Sequence, residues 1–408
     1  MSEALGGVNG SVRRLVLASF LSTAGDRIHQ VALVALVLSV TSSLADAGLV
    51  FVVSTLPYLL FGLVSGALVD HFDRKHTLLA MDLVRAVIVL LIPLAAATSL
   101  PMVFALLFLL TCASMVFNPA EQAAVPEFVT GDELTAANSL FQVTSYLADL
   151  VVFPLGAALV TFMVAQFGPY RGTQFAFTLD AVSYVASALL LYRLPFVRRA
   201  TVRARLTVDA LRQQILAGLR YMWSNPHLRA NTVLFVFGPL LLGSLNTLWI
   251  GFAWRVSHTD AWGYGLTESA TAVGTIGGLW VLQSLARRFN KGRTIALGFA
   301  IMGGAVFAVG FTDSLWVAVA LAALAGAGNM LFLVPSITLV QQQTPPEMCG
   351  RVVGVRHMLT FTAFMISNAT AGLLADQIGV SPLLALLGAG MVAVGGVAIL
   401  IRTTRDAT

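Results

Sequence analysis

The chain has 408 residues, of which 58% are hydrophobic and only 11% charged, and carries a formal net charge of +5. A soluble core cannot hide that much apolar surface, so the composition excludes an ordinary soluble domain and predicts an integral membrane protein. The apolar runs are too long and continuous for barrel strands, which alternate with period two; the expected fold class is an all-α membrane protein.

Turn and charge interruptions predict twelve spans in chain order, near 14–40, 47–69, 77–97, 101–122, 138–163, 175–194, 230–254, 265–286, 294–311, 315–341, 352–375 and 380–401. Arg13 and Arg14 precede the first run with no small-residue cleavage site after it, which predicts a retained first helix rather than a signal peptide. With the N-terminus inside, Arg74, Lys75, Arg198, Arg199, Arg203, Arg205, Arg287, Arg288, Lys291, Arg293, Arg351, Arg402 and Arg405 fall on cytoplasmic loops or tails. Arg171 and Arg255 fall outside. Both termini are therefore expected in the cytoplasm of a cell with the chain multi-pass in its inner or plasma membrane, and the positive charge is matched to anionic lipid rather than nucleic acid.

The polar stretch from Arg198 to Arg229 divides the spans six and six. Within it Val208, Leu211, Ile215, Leu219 and Met222 recur at helical spacing, predicting an amphipathic linker helix lying on the membrane surface. The expected organisation is an N-terminal six-helix half over 1–194, a cytoplasmic linker with this helix over 195–229, and a C-terminal six-helix half over 230–408. The loops HFDRKHT (71–77) and RFNKGRT (288–294) correspond, with Phe72 matching Phe289, Arg74 matching Lys291 and Thr77 matching Thr294. Such repeated halves suggest a rocker that exposes a central site to one side at a time.

The stretch Gly66-Ala-Leu-Val-Asp70-His-Phe-Asp73-Arg74-Lys75 resembles the loop signature of the major facilitator superfamily, departing at Asp73, where the common form has Gly. The segments AGDRIHQVAL (24–33), DLVRA (82–86), FNPAEQAAVPEFVTGDELTAANSL (117–140), AGLRYMWSNPHLR (217–229) and TPPEMCGRVVGV (344–355) resemble its drug and siderophore exporter branch, which includes macrolide efflux proteins and the enterobactin exporter. The likeness covers nearly the whole chain. It implies the major facilitator fold, two pseudo-symmetric halves of six helices, and secondary active export of a small amphiphilic organic compound of drug, antibiotic or siderophore type by proton antiport with alternating access. The partners implied are the small-molecule substrate, protons and membrane lipid, the chain is expected to be a monomer, and it needs no cofactor beyond the proton motive force. A lysophospholipid transporter of the same branch, an uptake carrier and a non-transporting receptor are the alternatives. No phosphate-binding loop, nucleophile elbow or spaced His/Cys metal motif is present, so an enzyme is not expected.

In the family, the loop after helix 2 suggests a conformational latch formed by Gly66, Asp70, Arg74 and Lys75: Asp70 would accept from Arg74 or meet a helix N-terminus and release it as the halves rock. The alternative is that Arg74 and Lys75 fix topology while Asp70 caps a helix. Asp82 and Arg85, one turn apart, are tolerable in the membrane as a neutralised pair and read as structural. Asp26 and Arg27 lie near the middle of helix 1, with His29 one turn from Asp26, and Asp149 lies near the middle of helix 5. In the family fold those helices are neighbours, so Arg27 is expected to be neutralised by Asp149, leaving Asp26 to face the cavity and bind either a proton or a cationic group. The alternative partners Asp26 with Arg27 or His29 in a static network. His29, Gln142, Tyr146, Asn246, Trp249, Asn329 and Asn368 would line the cavity, each alternatively a packing contact. The Gly274, Gly277 and Gly278 cluster is expected to permit close helix approach, and Asp180 and Glu268 are placed near the outer ends of their spans, within reach of water.

Overall fold

The computed structural model describes residues 10–69, 73–129, 132–196, 208–285 and 288–400. Among these the elements are helices: α1 (Gly10–Thr41), α2 (Leu44–Val69), α3 (Arg74–Ala96), α4 (Leu100–Ala124), α5 (Asp132–Leu147), α6 (Phe153–Tyr192), α7 (Val208–Ser224), α8 (Pro226–Gly251), α9 (Asp260–Leu285), α10 (Lys291–Val309), α11 (Leu315–Gln343), α12 (Pro346–Ile378) and α13 (Val380–Leu400). A short 3₁₀ turn, Val125–Glu127, follows α4, and π-helical turns at Ala148–Val152 and Phe252–Val256 follow α5 and α8.

Nine stretches among the described residues are long and apolar enough to cross a bilayer. One of them, Val143–Tyr192, runs for 50 residues. A straight helix of that length would be about 75 Å, more than twice the hydrocarbon thickness. It breaks at Gly168, whose φ of 79° and ψ of 167° only glycine adopts without strain, and Pro169 then starts the second limb. Gly172 completes the reversal, since a Cβ there would lie 2.5 Å from the backbone N of Val164. Counting the two limbs separately, and adding α1 with its four charges and the Gly-, Ser- and Thr-rich α9, gives the twelve expected spans.

Two compact units form: residues 1–42 with 53–206, and residues 43–52 with 207–408. In the first, α1 packs on α6 and α5, and α3 packs on α4 and α6. Val12, Leu15, Leu78, Phe117, Ala124 and Leu191 gather in one buried cluster, tying the start of α1 and α3 to the end of α4 and α6. In the second, α8 packs on α12, α9 on α11, and α10 on both α11 and α13. Phe332 of α11 stacks against Phe299 of α10 at 4.6 Å and Phe235 of α8 at 5.8 Å.

The linker helix forms as α7, but its apolar stripe is used differently from expectation. Met222, Ile215 and Leu219 pack with Val340, Val352 and Val355 of α11 and α12 instead of lying on lipid. Gly218 sets the spacing, because a Cβ there would meet the Arg351 carbonyl O at 2.8 Å.

From Asp73 and Asn290 onward the matching loops are capped alike. Asp73 caps α3 by accepting from the His76 backbone N–H at 2.9 Å, and Asn290 caps α10 by accepting from that of Arg293 at 3.0 Å. Thr77 and Thr294 each donate a hydroxyl to the carbonyl of that cap residue, at 2.8 and 3.0 Å. Asp73 thus supplies an N-cap acceptor that the Gly of the common signature lacks.

Close helix approach in the second unit depends on glycine at chosen positions. A Cβ at Gly274 of α9 would stand 1.7 Å from the Ala323 carbonyl O of α11 and one at Gly278 2.7 Å from that of Ala327, whereas Gly277 faces open space. Gly277→Ala should therefore hold or raise the melting temperature in detergent, since alanine gains about 1 kcal/mol of helix propensity. Gly274→Ala should lower it by several degrees, because α9 and α11 must separate. Equal melting temperatures for the two variants would refute this account of the packing.

Candidate functional site

The ionisable side chains of the first unit converge between α1, α3 and α6. Their assembly starts with a backbone irregularity. Pro154 has no N–H and its ring crowds the carbonyl four residues back, so the chain widens into a π turn, closed by the Phe153 N–H bonding to the Ala148 carbonyl. Asp149 lies in that turn. Two residues past Pro154, Gly156 lets α1 come close, a Cβ there falling 2.9 Å from Cγ1 of Ile28. Arg27 Nε then donates to Asp149 Oδ1 at 2.5 Å, with each side chain about one-third exposed. Arg27 Nη1 also reaches Gln30 Oε1 at 3.4 Å.

Deeper in the unit, Arg85 pairs with Asp82 one turn earlier on α3, and both side chains are almost wholly buried. The guanidinium is sandwiched by rings, 3.9 Å from the centroid of Phe117 and 4.4 Å from that of Tyr184. Such faces solvate a cation that has left water.

The remaining carboxylates lie on α1 and α6. The Tyr184 hydroxyl donates to Asp26 Oδ1. His29 Nδ1 stands 2.6 Å from Asp180 Oδ2, with the Asp180 side chain fully buried and that of His29 11% exposed. Asp180 also accepts from the Ser183 hydroxyl at 3.2 Å. Gly25 makes the room, since a Cβ there would meet Asp180 Oδ1 at 2.2 Å and Ser183 Oγ at 2.1 Å.

The structure thus brings Asp26, Arg27, His29 and Asp149 into one neighbourhood with Asp82 and Arg85. It corrects the placement of Asp180, which is no water-accessible end residue but the buried partner of His29. Asp180, Ser183, Tyr184 and Ser187 recur at three- and four-residue spacing, so one polar face of the second limb of α6 was present in the sequence. That face identifies Tyr184, which the sequence reading missed.

Of the loop residues, Asp70 lies outside the described residues, and Gly66 is described only as part of α2. Arg74 Nη1 donates to Glu127 Oε1 at 2.5 Å and to the Ala123 carbonyl at 3.0 Å. Lys75 Nζ donates to the Leu194 carbonyl at 3.0 Å and lies 5.2 Å from the Tyr192 ring. These cations join the start of α3 to the ends of α4 and α6. Glu127, in the quoted segment 117–140, is a second partner the sequence reading missed.

The cavity candidates separate. Tyr146 is exposed on α5, where Gln142 also lies without a described side chain, and Asn246 and Asn329 are half-buried. Trp249 and Asn368 are buried: Trp249 lies edge-on to Phe252, and the Asn368 amide donates to the Phe364 carbonyl at 2.9 Å while accepting from Thr247 at 3.1 Å. Both are packing contacts of the second unit. There Arg356, also buried, is held by the Ser336 carbonyl and hydroxyl at 3.0 and 2.8 Å and covers the Phe235 ring at 3.3 Å.

Similarity to solved structures agrees with this architecture. The chain superposes on a bacterial homologue of the iron transporter ferroportin with a TM-score of 0.76, at 17% identity, covering 96% of this chain and 98% of that one. It superposes on the nucleoside transporter NupG with a TM-score of 0.75, at 13% identity, covering 96% and 99%. The protein has the fold of the major facilitator transporters, a multi-pass helical membrane class that is not enzymatic. Residues 8–407 match the transmembrane secretion effector family, and the chain belongs to that family. It is 26% identical to the multidrug efflux pump Tap of Mycolicibacterium fortuitum over 97% of both chains. It is also 26% identical to Tap of Mycobacterium tuberculosis strain H37Rv, over 96% of this chain and 93% of that one. With the uncharacterized MFS-type transporter YfiS of Bacillus subtilis it shares 27% identity over 93% and 90%.

The buried Asp82–Arg85 pair supports a stability prediction. Arg85→Ala should lower the amount of folded, monodisperse protein recovered in detergent, because Asp82 is left charged or must take up a proton; losing one partner of a buried pair costs about 3–5 kcal/mol. Asp82→Ala/Arg85→Ala should be less damaged than the sum of the two single variants. Additive losses would show that the two side chains do not stabilise one another.

Proposed function

We propose that the chain exports a small amphiphilic organic compound across the cell membrane by alternating access, in exchange for protons. The observation that carries this reading is the charge left over in the first unit. Arg27 neutralises Asp149 and Arg85 neutralises Asp82, so among the described residues Asp26 and Asp180 have no arginine or lysine ion pair and face the Tyr184 hydroxyl and His29. A carboxylate in a membrane-embedded protein is stable when a cation or proton occupies it. Because either a proton or a cationic group of the substrate can neutralise Asp26, occupancy by one displaces the other, and that exchange is the coupling antiport requires. The multidrug efflux relatives support the direction and the substrate class.

In this reading both termini are cytoplasmic, the carrier works as a monomer, and the loop between α2 and α3 acts as a latch. Arg74 and Lys75, already bonded to α4 and the end of α6, carry its strain to the rest of the unit.

Luminal pH in respiring inverted membrane vesicles tests the proposal. Adding cationic drugs, macrolides or siderophores one at a time to wild-type vesicles should release protons from the lumen with at least one compound. Asp26→Asn, expressed to the same level, should be silent with that compound. Proton release unchanged in Asp26→Asn would remove Asp26 from coupling, and turnover driven by lysophospholipid instead would reassign the substrate.

A further inference from the structure

We propose that Asp26, His29 and Asp180 form a binding site for one divalent transition-metal ion, of the Mn²⁺, Co²⁺ or Zn²⁺ kind, within the N-terminal unit. Each residue offers one ligand atom, and the three atoms lie within 4.8 Å of one another. Ligands around such an ion stand about 2.0–2.2 Å from it, hence about 3–4 Å apart, so the His29–Asp180 pair, now at 2.6 Å, opens by roughly 0.4–1.4 Å to admit it. The donor set, one imidazole and two carboxylates, suits borderline first-row ions and not the all-oxygen shell of calcium.

Three independent features point the same way. First, Asp180 Oδ2 and His29 Nδ1, both buried, meet as an ion pair at 2.6 Å, and neither atom has a further hydrogen-bond partner among the described residues. An ion that replaced the proton the two atoms share would be held by the same pair. Second, the supporting bonds are in place: Tyr184 donates to Asp26 and Ser183 donates to Asp180 Oδ1, which orients each carboxylate and leaves its other oxygen for an ion. Gly25 keeps the cradle clear, since any side chain there would fill it. Third, the charges balance. With Arg27 spent on Asp149 and Arg85 on Asp82, ionised Asp26 and Asp180 would leave a charge of −2 once the imidazole gave up any proton, and one divalent ion would cancel it. Glu121 of α4, near enough to feel Asp26 and bonded to Ser19, adds to that excess when ionised. Asp26 is partly exposed and gives the ion its route in.

The site stands on geometry and charge, and does not depend on which organic compound the carrier moves. Metal and protons would compete for it, because both neutralise the same two carboxylates.

The full chain, purified in detergent and stripped with chelator, is titrated with Co²⁺ and followed by visible absorption. One Co²⁺ per chain with saturable d–d bands, displaced by Zn²⁺, is expected. His29→Gln should bind at least tenfold more weakly with altered bands, Gly25→Ala should bind more weakly, and His76→Gln, at an exposed histidine on α3, should bind like the wild type. No saturable binding up to millimolar Co²⁺, binding unchanged in His29→Gln, or loss in His76→Gln would each overturn the site. Asp180→Asn is a further arm, and His29→Gln decides alone if that variant does not fold. Co²⁺ binding together with unchanged export by Asp26→Asn would keep the metal site and sink the antiport reading.

Discussion

A charged side chain inside a bilayer is tolerated only when something nearby cancels it, and that constraint organises the N-terminal unit. An unpaired Arg, Lys or Asp at the middle of a spanning helix costs about 2.5–3.5 kcal/mol or more. This unit carries Asp26, Arg27, Asp82, Arg85, Asp149 and Asp180 on packed helices, far more than its stability could bear unpaired. The pairings Arg27–Asp149 and Arg85–Asp82 therefore fix which helices must be neighbours. The first joins α1 to the π turn before α6, and the second holds α3 against Phe117 of α4 and Tyr184 of α6 through the faces of the rings.

The backbone is shaped to serve these pairings. Pro154 widens the helix into a π turn at the point where Asp149 must reach α1, and Gly156 lets α1 come close enough for Arg27 to meet it. Gly25 performs the same service for Asp180 and Ser183. In the second unit the same device, glycine against a facing carbonyl, appears at Gly274 and Gly278, and the carboxylate–arginine pair described there, Arg255 with Asp376, is partly exposed. The one deeply buried cation described there, Arg356, is stabilised by a carbonyl, a hydroxyl and a ring. Among the described residues the deeply buried carboxylate–arginine pair, Asp82 with Arg85, thus lies in the first unit.

Much of this was legible in the sequence because it follows from hydropathy and spacing. The twelve spans, the linker helix and the matching loops come from runs, moments and turns, and Asp73 and Asn290 show the loop match down to the capping bond. Asp82 and Arg85 are one turn apart, so local geometry alone brings them together. The Arg27–Asp149 contact spans 122 residues, and only the family fold placed its two helices side by side. What escaped was depth. Asp180 falls early in an apolar run, and hydropathy cannot say that Pro169 begins the second limb six residues before the predicted start of the span, which moves Asp180 inward to His29. The face of α7 escaped for a similar reason: an amphipathic stripe reads the same whether lipid or α12 covers it, and Gly218 was the only residue hinting at a close helix.

The two leftover carboxylates also explain why this unit would tolerate a buried histidine. An imidazole can be neutral beside a metal ion or charged beside a carboxylate, so His29 lets the cluster stay near neutrality as its occupant changes. A lysine at that position would pair permanently with Asp180 and close the site to other cations. A glutamine would leave the carboxylate of Asp180 buried with no group able to take a charge. In the proposed site the histidine, its ring centroid 6.3 Å from that of Phe177, is the side chain that would keep the bound cation exchangeable, which a carrier needs if occupancy is to change during each cycle.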